Sequence, residues 1–380
     1  MKTFIWIPSL FESKGGIQTF SYLLLEALER LDPEFAYDVF LKHEVNLALN
    51  SEVFPKNRFY SMGRVPAQFR TIAFAIQIIS LGLWYRPRLI ITTHINLAVA
   101  AYFLKKITNI PYLVIAHGIE VWNIKSSYVK AAIHNADRII AVSGYTRDRL
   151  LKELNLNPDQ VTILPNTFDS NKFQIAPKPS HLLQKYNLTP DQPIILTVAR
   201  LAEVERFKGY DQVLLALPTI RQAIPNVHYV IVGKGSDRPR IEGIIEKLNL
   251  QECVTLAGFI PDEELCDFYN LCDVFAMPSK REGFGIVYLE ALACGKPTLG
   301  GNQDGAIDAL CHGKLGALVD PDSPDEIAQT LIQILQGTYP NQLMYEPEAL
   351  RQNVIETFGF NKFQQTLGTI IKEWEDSRLN

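Results

Sequence analysis

Two glutamates eight residues apart frame the run Glu282-Gly-Phe-Gly-Ile-Val-Tyr-Leu-Glu290. Pro278-Ser-Lys-Arg precedes it, closing an apolar run that reads as a strand. Gly283 and Gly285 allow a ligand to approach the backbone closely. A helix starting near Phe284 or Gly285 would offer its first N–H groups, around Phe284 and Ile286, to an anion such as a diphosphate. Glu290 then lies about one and a half turns into the helix, placed to reach a ribose diol, and Glu282 stands before it, near a sugar. The plain alternative is a pair of surface glutamates on an ordinary helix.

Arg200 and Lys208 form a second constellation, in Val198-Ala-Arg-Leu and Arg206-Phe-Lys-Gly. Arg200 directly follows a buried run, and Lys208 opens the next helix. Two cations at the C-terminal end of a parallel strand suit a leaving diphosphate; two solvated surface charges are the alternative. Val232-Gly233-Lys234-Gly also follows a strand and is either a phosphate loop or a turn. Gly15 and Gly16 sit between the first strand and the first helix, open to a phosphate or an acceptor. No G-x-G-x-x-G accompanies them, so no dehydrogenase reading follows.

These loops need a scaffold, and the sequence supplies one twice. Short apolar runs at Phe4–Ile7, Tyr37–Leu41, Leu89–Thr93, Tyr112–Ala116 and Arg138–Val142 alternate with helical stretches. A second series runs through Ile194–Val198, His228–Val232, Val254–Ala257, Val274–Met277, Thr298–Leu299 and Ala317–Val319. Alternation of this kind predicts an α/β fold with two doubly wound, Rossmann-like domains. The expected boundaries are residues 1–168 for the first domain, 169–192 for a polar, proline-containing linker, and 193–357 for the second. Residues 358–380 contain an amphipathic helix with Phe363, Leu367, Ile370, Ile371 and Trp374 at helical spacing.

The Glu282–Glu290 pattern, with Arg200 and Lys208 before it, resembles glycosyltransferase family 4, the glycosyl transferases group 1. The resemblance covers nearly the whole chain and is most specific from Thr197 to Asp320. It implies the GT-B arrangement, with two domains facing a cleft and the last helix packing back on the first domain. It also implies that Gly233 and Lys234 lie near the nucleotide, that backbone groups at Phe259 and Ile260 read the base, and that His117 lies beside the sugar. Arg200 and Lys208 are spaced more widely than in many members. Ala141-Val-Ser143-Gly and Pro165–Asp169 resemble two further landmarks, and read equally as a cap and a turn.

The resemblance implies hexose transfer from a UDP- or GDP-sugar to a hydroxyl of a glycan or lipid-linked acceptor, with retention of configuration, in envelope or exopolysaccharide synthesis. The catalytic candidates are His117, Glu282, Arg200 and Lys208, with Glu282 orienting sugar hydroxyls. No cofactor and no essential metal are expected, on the reading that an Asp-x-Asp metal motif is not evident. Three rivals remain: a hydrolase using Glu282 and Glu290 as acid and nucleophile, a sugar-nucleotide epimerase, and a catalytically silent binder. Retaining hydrolases hold their carboxyls about 5 Å apart, which eight residues of turn and helix disfavour.

Charge adds a partner. Net charge is −4, yet residues 1–168 carry 18 Lys/Arg against 13 Asp/Glu, and residues 169–380 carry 19 against 28. Val53–Ile119 holds Lys56, Arg58, Arg64, Arg70, Arg86, Arg88, Lys105 and Lys106 and no acid. An anionic membrane surface is the candidate partner, with a solvated face as the alternative; no nucleic acid is expected. Ala67–Tyr85 has about the length of a bilayer span, but Gln68, Arg70 and Gln77 favour a helix packed on the sheet. The five cysteines are odd in number and lack C-x-x-C spacing. They read as reduced thiols of a cytoplasmic protein, peripheral at the membrane's inner face.

Overall fold

The computed structural model of the protein describes residues 2–12 and 15–376. Ser13 and Lys14 of the first glycine loop, and residues 377–380 of the expected C-terminal segment, lie outside the described residues. The chain forms two units, Met1–Thr167 with Phe360–Asn380, and Phe168–Gly359.

The first unit is built on β1 (Thr3–Ile7), β2 (Asp38–Leu41), β3 (Arg58–Ser61), β4 (Leu89–Thr92), β5 (Tyr112–Ala116), β6 (Arg138–Ala141) and β7 (Val161–Ile163). Their order is β3-β2-β1-β4-β5-β6-β7, and every pair is parallel, with Ile5 opposite both Val39 and Ile91. Helices cover both faces, so the strands are apolar throughout rather than alternating, and β1 and β5 are wholly buried. The short strands β3 and β7 at the two edges were not foreseen. β3 is half-exposed and β7 has three residues, so neither carries an apolar run long enough to read.

The helix Phe360–Asp376 returns to this unit and packs on Gly16–Leu31. It buries Phe363, Leu367, Ile370 and Trp374, and the Phe363 ring meets Phe20 edge-on with centroids 5.7 Å apart. Ala67–Tyr85 packs through a narrower stripe than expected. Phe74, Ile78 and Gly82 are buried, with Gly82 against the Leu104 side chain, while Phe69, Ile72, Ile76 and Trp84 are exposed, Trp84 by 81%. By length and composition, with mean hydropathy 1.2, this helix could cross a membrane.

The second unit contains β8 (Ile194–Val198), β9 (His228–Val232), β10 (Val254–Gly258), β11 (Val274–Met277), β12 (Thr298–Gly301) and β13 (Ala317–Val319). They form a parallel sheet in the order β10-β9-β8-β11-β12-β13. Residues 169–192, expected as a linker, belong to this unit. The Ala176 amide donates to Asn270 Oδ1 at 2.9 Å, Lys178 Nζ pairs with Asp273 at 2.7 Å, and Leu182 and Leu183 are buried. Three prolines suggested a spacer; here they carry an extended segment that is fixed by side chains.

Strand order reverses between β1 and β4 in one sheet and between β8 and β11 in the other. Open parallel sheets bind ligands outside their strand ends at such a reversal. The chemistry-bearing residues of the second unit sit in the loops after β8 and β11.

Candidate functional site

At the end of a parallel sheet the last amides and carbonyls need partners. Here the loops after β8, β9 and β10 satisfy one another. Ala199 N donates to Val232 O at 3.0 Å, Leu201 N to Lys234 O at 3.1 Å, and Gly233 N to Gly258 O at 2.8 Å. The approach is so close that a Cβ on Gly233, at φ +141°, would collide with the Ala199 carbonyl, and one on Gly235 with that of Leu201. Glycine is therefore required in the Gly233-Lys234-Gly235 loop. Asp237 anchors its far end, with its side chain wholly buried, accepting bonds from Arg206 at 2.8 Å, Tyr210 at 2.8 Å and both Nε and Nη2 of Arg240. Burial opposes its charge, but these donors outweigh burial and hold the carboxyl down to about 2.

Beside this loop, the Lys234 ammonium lies 4.6 Å from the Phe259 ring centroid, a cation–π contact. Phe259 is half-exposed and Ile260 is buried, so an aromatic face and a cation share one rim. Arg200 is largely exposed, with its guanidinium paired to Glu205. Lys208 closes a short 3₁₀ turn, Glu203–Lys208, instead of opening a helix; the helix begins at Tyr210. Lys208 pairs with Glu282, and both side chains are only 17% exposed. The sequence-predicted lysine and glutamate therefore meet across two loops, although 74 residues separate them.

The loop after β11 is held by a residue that the sequence reading missed. Asp304, fully buried after β12, accepts from Ser279 Oγ at 2.7 Å, Glu282 N at 2.7 Å and Ala306 N at 2.9 Å. Burial pushes its carboxyl up to about 7. Its signal was available: Asn302-Gln-Asp304-Gly ends a strand, like the loops that were recognised. Gly285 has φ +91°, and a Cβ there would collide with the Tyr288 ring. The helix begins at Ile286 and runs to Ala293, with no side chain capping its N-terminus. Its first amides and those around Gly283 and Phe284 thus stand at the strand end beside Glu282. Glu290, one turn on, accepts from the Tyr269 hydroxyl at 2.6 Å, and burial pushes its carboxyl up to about 7.

In the first unit, His117 follows β5. Its Nε2 lies 3.0 Å from the Thr93 carbonyl. A carbonyl only accepts, so Nε2 carries the proton and Nδ1 is the acceptor. Burial lowers the imidazole to about 4, so the ring is neutral near pH 7. The backbone amide of His117 donates to Glu120, and Phe20 meets the imidazole edge-on at 4.9 Å. Gly15 precedes the helix Gly16–Leu31 in extended backbone, and Gly16 has nothing within 4 Å of an added Cβ. The fold does not require glycine at position 16. Glu44, also unforeseen and fully buried, gathers the loop after β1 by accepting from Ser9 Oγ at 2.7 Å and from the amides of Leu10, Phe11 and Glu12. Ser143 is a plain helix cap, accepting from Thr146 N at 3.0 Å.

An Asp-x-Asp does occur, at Asp320-Pro-Asp322, which corrects the reading of the sequence. Asp320 accepts from Gln303 at 2.9 Å, and Asp322 pairs with Lys280. Among the described residues no group of three or more His, Cys, Asp or Glu is arranged to hold a metal ion. The basic stretch is also partly neutralised: Lys105 pairs with Asp137 at 2.8 Å and Arg88 with Glu375 at 3.4 Å.

Two family models match in succession, Glycosyltransferase Family 4 over residues 14–172 and Glycosyl transferases group 1 over residues 181–354. The GDP-mannose-dependent alpha-(1-6)-phosphatidylinositol monomannoside mannosyltransferase of Mycolicibacterium smegmatis is 34% identical over 233 residues, 58% of this chain and 59% of that protein. The mannosylfructose-phosphate synthase of Agrobacterium fabrum is 22% identical over 265 residues, 62% of this chain and 58% of that protein. The match thus spans less than two thirds of either relative. Among solved structures, Anabaena HepE in complex with UDP has TM-score 0.80 at 19% identity, covering 98% of this chain and 100% of that one. Sucrose-phosphate synthase from Thermosynechococcus elongatus also has TM-score 0.80, at 23% identity, with 99% and 100% covered. The fold of these proteins is the GT-B fold, and this chain shares it.

Two glycine substitutions separate required from tolerated positions. Gly285→Ala is expected to cost about 2–4 kcal/mol, from left-handed backbone plus overpacking against Tyr288. Gly16→Ala should stay within about 0.5 kcal/mol of the parent protein. Thermal unfolding of both variants checks this; equal melting temperatures would contradict it.

Proposed function

We propose a function from one premise: the chain belongs to glycosyltransferase family 4, the glycosyl transferases group 1. The protein transfers a hexose from a UDP- or GDP-sugar to a hydroxyl of a glycan or lipid-linked acceptor, with retention of configuration. The observation that carries this reading is the Lys208–Glu282 pair at a strand end, beside an uncapped helix N-terminus and one turn before Glu290. A diphosphate is the ligand that uses a lysine, an arginine and free helix amides together. The mycolicibacterial relative is by its name GDP-mannose-dependent, and HepE was solved with UDP; both agree with this donor class.

Lys208 is paired with Glu282 and Arg200 with Glu205. A bound diphosphate competes for both cations and releases Glu282 toward the sugar hydroxyls. As the glycosidic bond breaks, charge grows on the leaving phosphate, and Lys208, Arg200 and the amides at the start of Ile286–Ala293 stabilise it. The acceptor attacks from the face the phosphate leaves, and the phosphate takes the hydroxyl proton, so no protein nucleophile is needed. These cations do the work a divalent ion would otherwise do, and we propose that no metal is essential.

Glu290 receives the ribose diol as a carboxylate, displacing the Tyr269 hydroxyl or sharing its oxygens with it. Burial raises its carboxyl to about 7, so the favourable protonated form is lost as pH rises through that value. Hydroxyl donors favour the charged form, so nucleotide binding opposes the raised value.

The first unit also offers a membrane-facing surface. Phe69, Ile72, Ile76 and Trp84 are exposed on Ala67–Tyr85, and Arg70 and Arg86 stand on or just beyond that helix in a stretch without acids. We propose that this helix lies in the headgroup region of an anionic membrane, on the cytoplasmic side, where a lipid-linked acceptor would be presented.

Three outcomes are expected. In a panel of UDP- and GDP-sugars, one donor is consumed, and alanine at Arg200, Lys208 or Glu282 lowers kcat/KM about 10²–10³-fold. Glu290→Gln weakens nucleoside diphosphate binding about tenfold and removes the gain in affinity that the parent protein shows as pH rises through 7; undiminished turnover in the three alanine variants would refute the site. In co-sedimentation, the protein should pellet with anionic but not neutral vesicles, less so at high salt, and Trp84→Glu should abolish it; salt-independent pelleting with neutral vesicles would contradict the surface.

A further inference from the structure

Two thiols of the second unit lie against each other where no function has been assigned. Cys266 is in the helix Leu265–Leu271, and Cys294 follows the helix Ile286–Ala293. Their sulfurs are 3.8 Å apart. Cys266 is partly exposed and Cys294 is buried, an arrangement that gives an oxidant access to one sulfur and keeps the second beside it. The contact between the two sulfurs is the main cause that holds the Cys266 thiol down to about 6, with burial opposing; the Gln174 carbonyl lies 3.7 Å from the same sulfur and Asn270 Nδ2 adds a donor at 3.4 Å. Cys294 itself is pushed up, by that same sulfur contact and then by burial. Cys266, the more exposed of the two and the one held lower, is the thiol placed to meet an oxidant as its thiolate. The buried thiols Cys253 and Cys272 instead face the carbonyls of Leu250 and Tyr269.

The same two helices carry Tyr269 and Glu290, which meet at the proposed nucleotide site. Tyr269, one turn after Cys266, donates to Glu290, and the Cys294 amide bonds the Glu290 carbonyl at 3.1 Å. A disulfide needs its sulfurs at about 2.05 Å, so oxidation draws the two sulfurs roughly 1.8 Å closer and pulls on both helices at a point one turn from the Tyr269–Glu290 contact. Packed interiors transmit such a shift rather than absorb it.

We propose that Cys266 and Cys294 form a reversible disulfide that displaces the Glu290 carboxylate and weakens donor binding; the second half of this proposal rests on the nucleotide site described above. Hydrogen peroxide is the oxidant. The Cys266 thiolate attacks one peroxide oxygen, giving a sulfenic acid and hydroxide, which takes a proton to become water. The Cys294 thiol then attacks the Cys266 sulfur, forming the S–S bond, losing its proton and expelling a second water. Two thiols and one peroxide become one disulfide and two waters, and a dithiol reductant reverses the change.

The test uses the full chain, reduced or treated with peroxide. Peptide mapping by mass spectrometry should find a Cys266–Cys294 cross-link that dithiothreitol removes. Hydrogen exchange should change in peptides covering 265–271 and 286–294, and affinity for UDP or GDP should fall roughly tenfold, the size of one lost charge-assisted bond. Cys266→Ser, which keeps the buried Cys294, should bind nucleotide as the reduced parent does and ignore peroxide. Overoxidised thiols with no cross-link would overturn the proposal, as would a cross-link that leaves both exchange and affinity unchanged. If the reduced protein binds neither nucleotide, the site reading fails separately, and cross-linking with hydrogen exchange still decides whether the thiol pair moves Glu290.

Discussion

A parallel sheet delivers all its strand ends to one edge, and the backbone groups there must be satisfied without closing the edge off. In the second unit the loops after β8, β9 and β10 bond to one another through Ala199, Leu201 and Gly233, and Asp304 gathers the loop after β11. The cost of leaving such groups buried and unpaired is about 1–3 kcal/mol each, so the stitching fixes the loops. Lys208, Lys234, Glu282 and the amides ahead of Glu290 inherit their places from it. Two glycines follow from the same constraint. Gly233 and Gly235 lie where a side chain would occupy the neighbouring carbonyl, so backbone proximity, rather than flexibility, selects them.

Electrostatics completes what the backbone begins. Opposed charges are paired, which spares Lys208 and Glu282 an unpaired, largely buried existence. Asp304 and Glu290 are handled differently: burial raises both to about 7, and each is held by neutral donors. On the proposed donor reading, a diphosphate would exchange with Glu282 and Glu205 as the counter-charge of Lys208 and Arg200.

Much of this was legible in the sequence, for identifiable reasons. Central strands are long apolar runs because both faces are covered, and the loops carrying Arg200, Gly233 and Glu282 announced themselves by glycine or charge directly after such runs. Edge strands β3 and β7 lack that signature. Residues 169–192 looked like a spacer because prolines and polar residues dominate, while the contacts that fix them come from Asn270 and Asp273, about a hundred residues away. Distance in sequence also hid Glu44, whose role exists only through amides brought to it by the fold. The basic stretch misled in the opposite direction: Lys105 and Arg88 find Asp137 and Glu375 in three dimensions, so local composition overstated the free charge. Ala67–Tyr85 left two readings open, and the structure keeps a little of each, with Phe74 and Ile78 in the core and Trp84 in solvent.

Hydrogen exchange of the reduced protein, followed with and without UDP and GDP, addresses the nucleotide pocket most directly. Nucleotide should slow exchange in the segments spanning 199–209, 233–237, 258–260 and 282–290, and leave β12 and the edge strand β13 unaltered. Protection confined to other segments, or none at saturating nucleotide, would contradict the account.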